Sequence, residues 1–158
     1  MYTGDYKEGK KSGKGKFVWA DQSSYKGDFF NNELHGVGMY TWADGRTYNG
    51  TWVNSKMEGR GDFTWPDGRR YVGDYKEDQK HGLGTFTWPD GRCYHGQWEQ
   101  GKQHGEGIYM KDGKKRRGVW ENGRRTHWIK DRGQRGRSRS KTRERAETDE
   151  RAADAEVE

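Results

Sequence analysis

The sequence predicts an all-β protein: an elongated single-layer antiparallel ribbon of consecutive β-hairpins, followed by a charged C-terminal tail that is disordered or helical. Three observations carry that expectation. Leu, Ile, Val and Phe make up only 15 of the 158 residues, too few for an ordinary aliphatic core, yet Phe, Trp and Tyr reach 14% and Gly contributes 25 residues. Disordered chains are poor in aromatics, so this composition points to order of an unusual kind. The aromatics and glycines also recur with a period of 23 residues. Within each period they alternate at every second residue, the spacing that places side chains on one face of a strand. Of the 22 aromatic residues, 20 fall on four repeat positions, leaving out Phe30 and Trp128.

Five units open at Tyr2, Tyr25, Tyr48, Tyr71 and Tyr94. Two residues on stands Gly4, Gly27, Gly50, Gly73 or Gly96, and two further Tyr6, Phe29, Trp52, Tyr75 or Trp98. This is the first strand of each hairpin. After a polar turn the second strand carries Gly-x-Gly, ending at Gly15, Gly38, Gly61, Gly84 and Gly107. Phe17, Tyr40, Phe63, Phe86 and Tyr109 follow, then Trp19, Trp42, Trp65 and Trp88, with Lys111 in that place in the fifth unit. A partial sixth unit begins at Arg116 and keeps Gly118 and Trp120. Asp44-Gly45, Asp67-Gly68, Asp90-Gly91 and Asp112-Gly113 join the units and supply the positive φ angles of tight hairpin turns. The in-strand glycines are read as clearance for an aromatic ring lying over the backbone, with β-bulges as the competing reading. Six units at about 4.8 Å per strand would span roughly 55 Å. The array is expected over residues 2–125, an end cap with Trp128 and Ile129 over 126–129, and the tail over 130–158.

These residues resemble the membrane occupation and recognition nexus (MORN) repeat, whose pattern is Tyr-x-Gly-x-aromatic, a short polar turn, His-Gly-x-Gly, then Asp-Gly. The unit from Tyr71 to Cys93, YVGDYKEDQKHGLGTFTWPDGRC, matches almost throughout, and the resemblance covers about residues 2–125. Ser12 and Glu58 replace the His of the first and third units, and Asp21-Gln22 replaces the first Asp-Gly. The resemblance implies a non-catalytic role. Such arrays occur in cytoskeletal and ciliary scaffolds, in membrane-junction proteins and as an accessory domain of plant phosphatidylinositol phosphate kinases. The chain has no kinase motif, so that activity is not implied.

Two surfaces are candidates for recognition. One is the aromatic face, where Trp52, Trp98 and Trp120 are expected to line a shallow groove suited to an amphipathic helix of a protein partner. The other is a basic row after the Asp-Gly turns, Arg46, Arg69, Arg92 and Lys114, joined by Arg70 and Lys115. Such a row could meet acidic phospholipids or an acidic protein, or could simply keep a sheet edge soluble. The formal charge of +6 is read as spread over a very charged chain. His35, His81 and His104 share one repeat position, but neighbouring copies would stand about 9–10 Å apart, too far to share a zinc ion. No metal or cofactor is expected. Nor is catalysis, because no GxSxG, CxxC, HExxH or phosphate-loop pattern is present.

Beyond Lys130 the code stops. Arg132 to Arg145 carries seven basic residues and one acid, and Ala146 to Glu158 six acids and one Arg. The basic run lacks aromatics for base stacking, so nucleic acid is not the expected partner. Met1 is followed at once by a complete repeat, which implies a bare edge prone to self-association, as a homodimer or edge to edge, or a piece of a longer array. A single cysteine, Cys93, and no apolar leader favour a cytoplasmic setting, near cytoskeleton, cilium or membrane if the resemblance guides.

Overall fold

The computed structural model describes residues 1–130, so the tail after Lys130 lies outside the described residues. Twelve strands follow one another: β1 (Tyr2–Lys7), β2 (Lys10–Val18), β3 (Ser24–Phe30), β4 (Glu33–Thr41), β5 (Thr47–Val53), β6 (Lys56–Thr64), β7 (Arg70–Lys76), β8 (Gln79–Thr87), β9 (Cys93–Glu99), β10 (Lys102–Lys111), β11 (Lys114–Glu121) and β12 (Arg124–Trp128). They form one antiparallel sheet whose spatial order is the order of the sequence. The partial sixth unit is a complete hairpin, and the residues read as a separate cap from 126 onward are mostly the body of β12.

Two kinds of turn alternate. Within each hairpin the two turn residues both have positive φ, as in Asn31 (49°) and Asn32 (69°) or Asn54 (48°) and Ser55 (64°). This is the type I′ conformation, whose twist suits two-residue hairpins. The second turn residue also binds the preceding unit: the N–H groups of Asn32, Ser55 and Asp78 donate to the carbonyls of Lys11, Leu34 and Met57 at 2.9–3.0 Å. Their side chains accept the N–H of the same three residues at 2.8–3.1 Å. Between units the expectation of a shared Asp-Gly conformation needs correction. At Asp44-Gly45, Asp67-Gly68 and Asp90-Gly91 only the glycine has positive φ, and the Asp carboxylate accepts the N–H of Arg46, Arg69 or Arg92 at 3.0 Å. Only Asp112-Gly113, in the unit one residue short, has both residues at positive φ.

Both readings of the in-strand glycines hold, each for a different glycine. The first of each Gly-x-Gly sits at a bulge with positive φ, for example Gly36 at 87°. There Asp28 takes the next N–H, that of Val37, at 2.9 Å. The second glycine lies beneath the tyrosine that opens its own unit. A Cβ on Gly38 or Gly61 would run into the Tyr25 or Tyr48 ring. Each tyrosine hydroxyl then donates to a carbonyl three residues on, Tyr25 to Asp28 at 2.8 Å and Tyr48 to Thr51 at 3.0 Å.

Rings sunk over glycine pairs build the core. One row runs Tyr2, Phe29, Tyr25, Trp52, Tyr48, Tyr75, Tyr71, Trp98, Tyr94, Trp120, every neighbouring pair edge-to-face with centroids 4.7–5.6 Å apart. Thus each opening tyrosine meets an aromatic of its own unit and one of the next. A second row runs Phe17, Trp19, Tyr40, Trp42, Phe63, Trp65, Phe86, Trp88, Tyr109, Trp128, with centroids 4.4–6.4 Å apart. Edge-to-face pairs contribute about 0.5–1.5 kcal/mol each beyond the area they bury. A single sheet with one aromatic face is thereby stable without a second layer.

Candidate interaction surface

Trp52, Trp98 and Trp120, expected to line a groove, are 4%, 2% and 2% exposed. They belong to the first aromatic row and are pinned from below, the indole N–H of Trp52 donating to the Gly38 carbonyl and that of Trp98 to Gly84, both at 3.1 Å. Their place is the interior, because Trp52 and Trp98 each meet edge-on the opening tyrosines of the preceding unit and of their own, and Trp120 meets Tyr94 and Trp128. The aromatics left partly accessible on that face are Tyr2, Phe17 and Trp128 towards the two ends of the sheet and, between them, Trp19, Tyr40, Trp42 and Trp65 of the second row. Trp19, Trp42 and Trp65 stand just past a strand end, but position alone does not signal their exposure, since Trp88 in the same place is 1% exposed.

The six basic residues do not form one stripe. Arg46, Arg69 and Arg92 lie on the aromatic side, their guanidinium groups 5.2, 5.1 and 5.5 Å from the rings of Trp42, Trp65 and Trp88. Each also pairs with the aspartate of its own turn, at 2.8, 2.7 and 2.6 Å. The Asp67 carboxyl is held below its usual range, chiefly by the Arg69 N–H it accepts. Arg70 is on the opposite face, bound by both nitrogens to Asp62 at 2.9 and 2.6 Å. Lys114 and Lys115 belong to β11, Lys115 opposite Met110 on that polar face. Pro66 packs onto the turn of the preceding unit, where a Cβ on Gly45 would come within 3.2 Å of it. The row is therefore largely a stacked, internally neutralised set of turns.

Other singled-out residues fall on the polar face. His35 lies against Phe30, with ring centroids 5.7 Å apart, and His104 is 3.3 Å from Glu99. Among the described residues no three His, Cys, Asp or Glu side chains are grouped as metal ligands would be. Cys93 is buried, and burial pushes its thiol above the ordinary value.

The family model of the MORN repeat matches the chain five times, at residues 2–24, 25–45, 48–69, 71–91 and 94–115. The chain belongs to the MORN repeat family. No curated protein matches it.

Two features of this MORN array were missed by reading the period alone. The first is the residue opposite the second aromatic of each unit: Lys11, Leu34, Met57, Lys80 and Gln103. It lies in the aromatic core, yet its chemistry changes from unit to unit. Lys80 places its ammonium 5.6–5.9 Å from the centroids of Trp65, Tyr71, Phe86 and Trp98. Burial, and then the Arg69 charge, pushes it down to about 8. Gln103 is fully buried, with no hydrogen-bond partner for its amide among the described residues.

The second is the distribution of charge, which is not spread along the chain as the composition suggested. Residues 1–110 carry 15 basic and 15 acidic side chains, residues 111–130 eight and two, and residues 131–158 eight and eight. The formal net charge of +6 therefore belongs to the last hairpin, β11–β12, with the residues flanking it.

Proposed function

We propose that the protein is a non-catalytic interaction scaffold that holds a partner protein along its aromatic face, in the service of cytoskeletal, ciliary or membrane organisation. MORN repeats suit an interaction scaffold, and the family is in general non-catalytic. The observation that carries the reading is the run of partly exposed second-row rings, Trp19, Tyr40, Trp42 and Trp65, extending across successive units of a rigid sheet. Spacing of two strands, about 9–10 Å, suits every second turn, about 10.8 Å, of an amphipathic helix laid across them. Proximity labelling in the native cell, comparing wild type with Trp42→Ala/Trp65→Ala, tests it. The variant should lose a discrete set of neighbours while keeping the β-sheet circular dichroism of the wild type. An unchanged set of neighbours would sink the reading.

A second reading, an adaptor for acidic phospholipids, is favoured by the charge of β11–β12 rather than by the paired arginines. Sedimentation with phosphoinositide vesicles separates the two sources. Lys114→Glu/Lys115→Glu should release the protein, whereas reversal of Arg46 should change little because Asp44 already neutralises it.

A further inference from the structure

We propose that the acidic segment Ala146–Glu158 docks on the β11–β12 hairpin of the same chain. The first support is the segregation of charge: the hairpin and its flanks carry the whole of the net positive charge, and the segment carries six acids against one Arg. Residues 1–110 are balanced overall; their most basic stretch, the β1–β2 hairpin with five lysines against Asp5 and Glu8, lies at the far end of the sheet and is the weaker competitor for an anionic strand.

The second support is the placement of the cations. Arg116 and Arg125 stand on the aromatic side, their guanidinium groups 4.0 and 4.3 Å from the centre of the Trp128 ring. By register Lys115 and Arg117 face the other way, opposite Met110 and Ile108, Arg117 lying 3.5 Å from Glu106 with both side chains largely exposed, and Arg124 is opposite Glu121. A hairpin positive on both faces fits a strand of chain that can pass around it. A bilayer could meet only one face.

Reach is ample. Residues 131–145 can extend to roughly 50 Å at about 3.3 Å per residue, whereas an eight-residue strand such as β11 is roughly 26 Å long. The basic run Arg132–Arg145 is the rival site. On the hairpin the cations are held by paired strands and stand on both faces.

Zero-length carbodiimide crosslinking of the full chain, read by mass spectrometry on an equal mixture of isotopically light and heavy protein, tests this. The expected result is links within one chain from Lys114 and Lys115 to the carboxylates of Glu147–Glu158. They should fall about fivefold between about 0.15 and 0.5 M salt, as the screening length shrinks from roughly 8 to 4 Å. In E147K/D149K/E150K the links from Glu156 and Glu158 should vanish. Links confined to Lys141, or distributed over the lysines of β1–β10, would overturn the proposal. So would links found only between chains, which would assign the segment to a second copy. An absence of links in a protein that sediments with phosphatidylserine vesicles would give the hairpin to a membrane, and equally overturn it.

Discussion

Replacing Lys80 by Met should stabilise the array at neutral pH, and the gain should fade as pH rises. The neighbouring unit already has Met57 at this register position, so the substituted side chain has a precedent in shape. In the folded protein Lys80 titrates at about 8, because burial and then Arg69 oppose its charge. An unfolded lysine titrates near 10.4, and the gap of roughly 2.5 units corresponds to about 3 kcal/mol at pH 7. Four rings within 6 Å attract the ammonium and offset part of this, leaving about 1–3 kcal/mol for Lys80→Met to recover. The sign follows from proton counts. Between about pH 8 and 10.4 the unfolded chain holds the proton and the folded chain has lost it, so wild-type stability rises with pH across that window. The methionine of the variant has nothing to titrate. Urea unfolding followed by tryptophan fluorescence at pH 7 and pH 9.5 should therefore show the advantage of the variant falling by more than half. A variant less stable than wild type at pH 7, or a difference independent of pH, would refute the assignment of Lys80 as a buried, costly cation.

Other perturbations probe the remaining layers of the structure. Gly61→Ala drives a methyl group into the Tyr48 ring and should lower stability by several kcal/mol in the same unfolding assay, about 3 or more, as overpacking of a fixed ring does. By contrast Gly91→Ala meets no atom within 4 Å and costs only its left-handed φ of 92°, about 1–2 kcal/mol. Gln103→Leu, which copies Leu34, should gain about 1–3 kcal/mol by removing a buried amide that has no partner among the described residues. The Asp28 carboxyl is held low by Lys14 and by the Val37 N–H, so its contribution is complete above about pH 4 and is lost as pH falls through the depressed value. Asp28→Asn should flatten the acid limb of a stability-versus-pH curve. At the other extreme Tyr25, Tyr48, Tyr71 and Tyr75 are pushed far above 10 by burial. Their contribution is whole below pH 10 and is lost above it, where only the unfolded tyrosines ionise, so alkaline melting temperatures should drop steeply.

Much of this architecture was legible in the sequence because its causes are local and repeated. Tyr25, Gly27 and Phe29 at every second residue mean one face of a strand, and a 23-residue return means that each hairpin meets a copy of itself. The type I′ turns were less legible: Asn54-Ser55 and Glu77-Asp78 carry no glycine, and their positive φ is held by bonds to the preceding unit, such as Asp78 to Met57. Depth was misjudged. Alternation says that Trp52 and Trp42 share a face but not that Trp52 is wedged between Tyr25 and Tyr48 while Trp42 stays near a turn under Arg46. The basic row looked continuous because Arg69 and Arg70 are adjacent in sequence, although alternation sends them to opposite faces and to different aspartates.

The residues that the period fixes are those that fold the array, and for that reason they are buried. An opening tyrosine, its glycines and the aromatic four residues on must be alike in every unit, since each unit is the wall against which the next one packs. Recognition must then come from what the period leaves free. In this chain that means the core-facing position that runs from Lys11 through Leu34, Met57 and Lys80 to Gln103, and the last hairpin with its excess of positive charge, to which are added Trp19, Trp42 and Trp65, fixed by the period yet only half-buried. Trp52, Trp98 and Trp120 were chosen by repeat position, which selected for depth. Lys114, Lys115 and Arg124 belong to the unit that departs furthest from the repeat, and there the chain is electrostatically unlike its other five units.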